Sequence, residues 1–161
     1  MDVHAYHEAG HAVLALHSGL EFDHVSIDEH GPGLHGAAGD PMVSLAGPAA
    51  ENHYRANIEM PLLDPDPEDY LTQEEVDPAV YYLSVSRGLH DDYREALDLL
   101  WDHEDRAASI NLAKRKLRDA AQKCDILVEQ HWRRIDLLAR NLVRERKIVY
   151  ADAERLFRSD G

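Results

Sequence analysis

From Arg106 to Asp160 the chain contains neither glycine nor proline, and this run constrains the fold more than any other feature. Those two residues are the ones that most strongly interrupt helices. Within the run, Ile110, Ala113, Leu117, Ala120, Cys124, Leu127, His131, Ile135, Leu138 and Leu142 recur at steps of three or four, the helical period. One unbroken helix over 106–146 would extend about 60 Å at ~1.5 Å per residue. A globule of 161 residues is roughly 40 Å across. The run must therefore bend, split into two helices or project into a partner. Ala151-Asp152 opens a short final helix.

The first half of the chain is punctuated differently. Asp2 is placed to cap a helix whose Ala5, Ala9, Ala12, Val13 and Leu16 follow helical spacing, with Gly19 as its stop. Phe22 to Ile27 reads as a short strand with Val25 and Ile27 on one face. Residues 31–41 hold four glycines and two prolines and read as a loop. Pro41 suits the start of a second helix with Met42, Leu45, Ala46, Ala49, Ala50 and His53 inward. Residues 57–79 carry four prolines, eight acidic side chains and no basic one, the composition of a surface excursion. Asp77-Pro78 opens a short helix running towards Gly88. Asp91 or Asp92 opens another through Ala96, Leu99 and Leu100. The expected fold is mainly α with a small β element, built as one domain over 1–161.

Charge divides this domain in two. Residues 1–105 hold three basic and twenty-three acidic side chains; residues 106–161 hold fourteen basic and eight acidic. The split reads either as a solvated acidic part docked on basic C-terminal helices or as an acidic face that selects cationic peptides, and the net charge of −14 argues against a phosphate-backbone or anionic-membrane partner. No apolar run reaches the ~18 residues of a spanning helix, and the start carries no signal-peptide pattern. The single cysteine, Cys124, excludes a disulfide framework and a Cys-rich zinc module; on the apolar stripe it reads as a small buried hydrophobe. The expectation is a soluble, cytoplasmic protein. Nothing in the pattern specifies an oligomeric state.

His7-Glu8-Ala9-Gly10-His11 is an H-E-x-x-H pattern inside the first expected helix. Positions i and i+4 lie about 40° apart around a helix, so both imidazoles can face one metal ion. Zinc lowers the pKa of a water it binds towards ~7, and an adjacent carboxylate, here Glu8, can take that proton. Both histidines must be neutral to bind, so occupancy falls in acid. Chance gives roughly 0.06 such matches in a chain of this composition, so the pattern needs further support. Gly10 adds some, because an interior helical glycine costs about 1 kcal/mol relative to alanine. Close approach of another backbone, or of a metal-bound ligand, would explain it. A catalytic zinc takes three protein ligands. His4 lies a turn nearer the chain start and His17 points away. The residues leave Glu51, His53, His90, Asp91, Asp92 and His103 as candidates for the third.

The stretch AYHEAGHAVLAL resembles the peptidase domain of the FtsH family of AAA+ zinc proteases. Leu45-Ala46-Gly47-Pro48-Ala49-Ala50-Glu51 is similar to a second helix of that domain. Gly88-Leu89-His90-Asp91-Asp92-Tyr93-Arg94-Glu95-Ala96-Leu97 is similar to the segment that brings its third zinc ligand, and the tail from Ala121 to Phe157 resembles its closing helices. The resemblance implies a helical zincin-like fold, with Zn2+ held by His7, His11 and Asp92 and Glu8 as general base. It implies that Asp91 rather than Asp92 caps the helix, and that Glu51 can orient a ligand histidine. His24, His30 and His35 would flank the cleft, and Val25-Ser26-Ile27 would be the edge strand that pairs with a peptide. Trp101, Trp132 and Tyr150 would pack in or near the core.

The departures are specific. No Walker A pattern occurs, Pro48 stands where the family has arginine, and the connection into the second helix is shorter. Residues 57–79 read as an insertion that could cover the cleft. The expected activity is therefore zinc-dependent hydrolysis of peptide bonds in unfolded or short polypeptides, with any ATPase or other protein partner supplied in trans. The alternative is a catalytically inactive peptidase-fold domain that serves interaction or regulation.

Overall fold

The structure is a computed structural model that describes residues 2–60, 87–100 and 106–159. It is mainly helical, with one small antiparallel sheet. Helix α1 spans Val3–His17, and Asp2 caps it by accepting the His4 backbone N–H at 3.0 Å. Every residue from Ala5 to Ala15 is buried. Alanine and glycine leave this helix slim enough to be packed on all sides.

Helix α2 (Pro41–Asn57) lies against it. The Asp40 carboxylate accepts from the Met42 and Val43 N–H groups at 2.8 and 3.1 Å, and Pro41 occupies the first turn, where its missing N–H costs nothing. The contact is close at Gly10, where a Cβ would meet the Ala46 carbonyl and lie 2.6 Å from the Ala50 Cβ. Close backbone approach is thus the reason for glycine there. Pro48 removes one N–H from the interior of α2, yet the helix continues through it.

Helix α3 runs from Arg87 to Leu100 without a break. Neither Asp91 nor Asp92 therefore opens a helix, and that expectation is corrected. A carboxylate in mid-helix is free to point at another element, which a cap is not. The expected helix after Asp77-Pro78, most of segment 57–79, Trp101 and His103 lie outside the described residues.

The long Gly/Pro-free run divides into α4 (Arg106–Gln130) and α5 (Trp132–Glu145) at His131. Leu117, Cys124, Val128, Ile135, Leu138 and Leu142 are buried along it, so the apolar stripe faces the core. Arg146 ends α5 in the left-handed region at φ 65°. Its N–H still donates to the Leu142 carbonyl, and its guanidinium donates to the Ile27 carbonyl.

Three short strands follow the order β2-β1-β3, with β1 His24–Ser26, β2 Gly33–His35 and β3 Lys147–Val149. Val25 faces Leu34 on one side and Ile148 on the other. This corrects two expectations. Residues 31–41 contain a strand, because pairing to β1 outweighs their glycine content. Residues 24–26 form the central strand, so the edge beside α1 belongs to β2. Residues 147–149, between the long helical run and the final helix, close the sheet. Helix α6 (Tyr150–Ser159) completes the chain. Trp132 and Tyr150 are half-buried against the core.

Candidate metal centre

One turn of α1 separates His7 from His11, and both side chains are buried where α1 faces α2. Each ring is held from behind. His7 Nδ1 lies 2.9 Å from Glu51 Oε2, and His11 Nδ1 lies 2.7 Å from the Val43 carbonyl oxygen. A carboxylate and a carbonyl only accept, so each Nδ1 carries the hydrogen and donates it. Both Nε2 atoms are thereby turned to the same point. Asp92 of α3 meets them there, with Oδ2 2.8 Å from His7 Nε2 and 3.4 Å from His11 Nε2.

This arrangement fits a divalent metal on three observations. In their neutral form the imidazoles present lone pairs at Nε2, and Asp92 presents another, so three acceptors can converge with no donor among them. Among the described residues the buried Asp92 Oδ2 has no hydrogen-bond partner of good geometry. Finally, Gly47 of α2 lies directly beneath: a Cβ there would fall 2.7 Å from His7 Nε2 and into the His11 ring. The ligand atoms lie within 4.8 Å of one another, the spread that a central ion with bonds near 2 Å can draw together.

Without a cation, protons take its place. Burial pulls the His7 imidazole down, but the Asp92 and Glu51 carboxylates outweigh it and push the group up to about 10. His11 moves the same way against its burial, chiefly through Asp92. Burial pushes Asp92 up, yet His11 and His7 hold it well below the usual carboxylate range. Glu51 is lowered despite burial, by His7 and by Arg55.

Glu8 sits next to the candidate ligands with 7% of its side chain exposed, and among the described residues its Oε2 has no hydrogen-bond partner. Its other oxygen is 3.7 Å from His4 Nε2, beyond hydrogen-bonding range. A cleft of about 550 Å³ opens over these groups. Gly33 and Leu34 of β2 form one wall, and Ala37, Ala38, Gly39 and Val43 another. Among the described residues no strand pairs with the outer edge of β2.

The other candidates separate. Glu51 meets His7 from behind and is not at the convergence point. His53 packs on Trp132 with ring centroids 4.1 Å apart. His17 pairs with His131 at 3.0 Å. Of His90 and Asp91 only the helical backbone is described. His24 and His35 stack on each other across β1 and β2. Sequence reasoning missed three contributors. The Val43 carbonyl is backbone and leaves no trace in residue type. Gly47 gives no signal until its neighbour is known. Arg55 was legible as the i+4 partner of Glu51, a spacing that puts two side chains on one helix face. The sequence matches no protein-family model and no curated protein.

Proposed function

We propose that this chain is a zinc-dependent metallopeptidase, with a zincin-like fold of the kind its resemblance to the FtsH peptidase domain implies. The observation that carries the reading is the convergence of His7, His11 and Asp92 beneath a cleft, with Glu8 beside them, its Oε2 without a hydrogen-bond partner among the described residues. His7 Nε2, His11 Nε2 and an Asp92 oxygen would hold the ion. When bound, zinc supplies a Lewis acid that makes water acidic near neutral pH and polarises a carbonyl.

The chain's own residues do the rest. Glu8 Oε2 takes the proton of the attacking water and delivers it to the departing amine nitrogen. Burial without a competing hydrogen bond keeps that oxygen available. Glu51 and the Val43 carbonyl hold the imidazoles in the Nδ1–H tautomer. The free edge of β2 supports an extended peptide by main-chain pairing along the cleft, and the small side chains of Ala37, Ala38 and Gly39 leave room for its own. A cleft of this kind takes an extended strand, so short or unfolded polypeptides are the substrates; folded ones need a partner that unfolds them.

Glu8→Gln keeps the shape and removes the base. The purified variant should retain zinc by elemental analysis and lose at least ~100-fold in cleavage of a flexible peptide. A variant that cleaves as fast as the parent rules the mechanism out. Zinc retained by a parent that hydrolyses nothing would instead favour a binding domain.

A further inference from the structure

We propose that Arg55 is a positioning residue for the metal centre: it clamps Glu51 so that this carboxylate fixes the ring of His7. The inference rests on the metal-binding part of the reading above and is independent of hydrolysis.

Arg55 lies one turn after Glu51 on α2. Its Nε and one terminal nitrogen both donate to Glu51 Oε1, at 2.8 and 2.6 Å. That leaves Oε2 to accept the His7 Nδ1 hydrogen at 2.9 Å. The division of labour between the two oxygens is what distinguishes this pair from an ordinary surface ion pair. A solvent-facing glutamate would turn its second oxygen to water; here it is spent on a ring whose far nitrogen faces Asp92. The three side chains are also shielded, with 20% of Arg55, 12% of Glu51 and 9% of His7 exposed.

The guanidinium is planar and permanently charged, and its fork holds an acceptor in a fixed place. Gripped by two donors, Glu51 keeps its second oxygen where the His7 ring needs it. With the grip removed, the glutamate side chain regains its rotamers. The ring then has no fixed partner, and its Nδ1–H tautomer is no longer enforced. Partners behind a ligand histidine commonly set metal affinity by ~10–100-fold. Arg55 is one step further back and should act on the ring through Glu51.

The test is zinc affinity, by competition with a chromophoric chelator, and the visible spectrum of the cobalt(II)-substituted full chain. It compares the parent, Arg55→Met, Arg55→Lys, Glu51→Gln and the double variant Glu51→Gln/Arg55→Met. Arg55→Met should weaken zinc binding by about tenfold and shift the cobalt bands. Arg55→Lys, which keeps one charged donor, should recover part of both. The double variant should bind no more weakly than Glu51→Gln alone. Parent-like affinity and spectrum in Arg55→Met overturn the proposal, as does a double variant whose loss is the product of the two single losses. Circular dichroism checks folding; should Arg55→Met not fold, Arg55→Gln is read by the same criteria. A parent that binds no zinc removes the metal centre and this proposal together. A parent that binds zinc and cleaves no peptide removes only the peptidase reading.

Discussion

Gly47 bears on the centre by having no side chain. A methyl group there would fall 2.7 Å from His7 Nε2 and into the His11 ring, so it would collide with both imidazoles. Gly47→Ala gains helix propensity of up to about 1 kcal/mol, yet it should lose zinc affinity by at least ~10-fold. Calorimetric zinc titration and a chemical melt of the same variant separate the two effects. Unchanged affinity would mean that the imidazoles converge elsewhere. The residue scale also marks how much of the site was legible. His7, Glu8 and His11 are readable because their geometry is local: the i, i+4 spacing alone puts both rings on one face. Asp92 was one of six candidates on residue type, because contact between α1 and α3 is not written in local spacing. Gly10 signalled close packing correctly but could not name Ala46 and Ala50 as its neighbours.

At the scale of elements, the helices were readable and their joins were not. The stripe from Leu117 to Leu142 fixed which face of α4 and α5 is buried, and the length argument required a break. Its position depends on tertiary partners. At His131 the helical hydrogen bonds persist, with the His131 N–H donating to Leu127 and the Ile135 N–H to His131. Arg134 then fastens the junction: it donates to the Phe157 carbonyl of α6 at 2.9 Å and to His131 Nδ1 at 2.9 Å, and lies over the Phe157 ring. None of these partners is near in sequence except His131. Arg134→Ala removes charged hydrogen bonds and a stacked cation, each in the range of ~1–2 kcal/mol. Urea unfolding should show a loss of about 2 kcal/mol, and hydrogen exchange should rise first in α6. The two outer strands of the sheet escaped notice for a related reason. Three-residue strands carry too few positions for a period, and glycine at 33 argued for a loop until pairing with Ser26 decided otherwise.

With the metal centre proposed above, the stability of the whole molecule would depend on the proton and metal content of this one site. In the metal-free protein the His7 pKa stands at about 10 against an ordinary 6.5. The folded state therefore binds a proton more tightly than the unfolded state. Stability from this group is fully present below pH 6.5 and is lost as pH rises towards 10. Asp92 has the opposite sign. Its pKa is depressed below 3.8, so its contribution is present above that value and lost as pH falls. The centre thus favours the metal-free fold most between about pH 4 and pH 6.5. Zinc must displace the protons at Nε2, so its binding releases them and tightens as pH rises. At a free zinc concentration of 100 times Kd the fold gains about 2.7 kcal/mol, which for a chain of this size is roughly 5–10 °C in Tm. Thermal melts with chelator and with excess zinc, run from about pH 6 to pH 9, should show the chelated protein weakening and the gap between the two curves widening. A gap that stays constant across that range would mean that the metal and the protons do not compete for the same nitrogens.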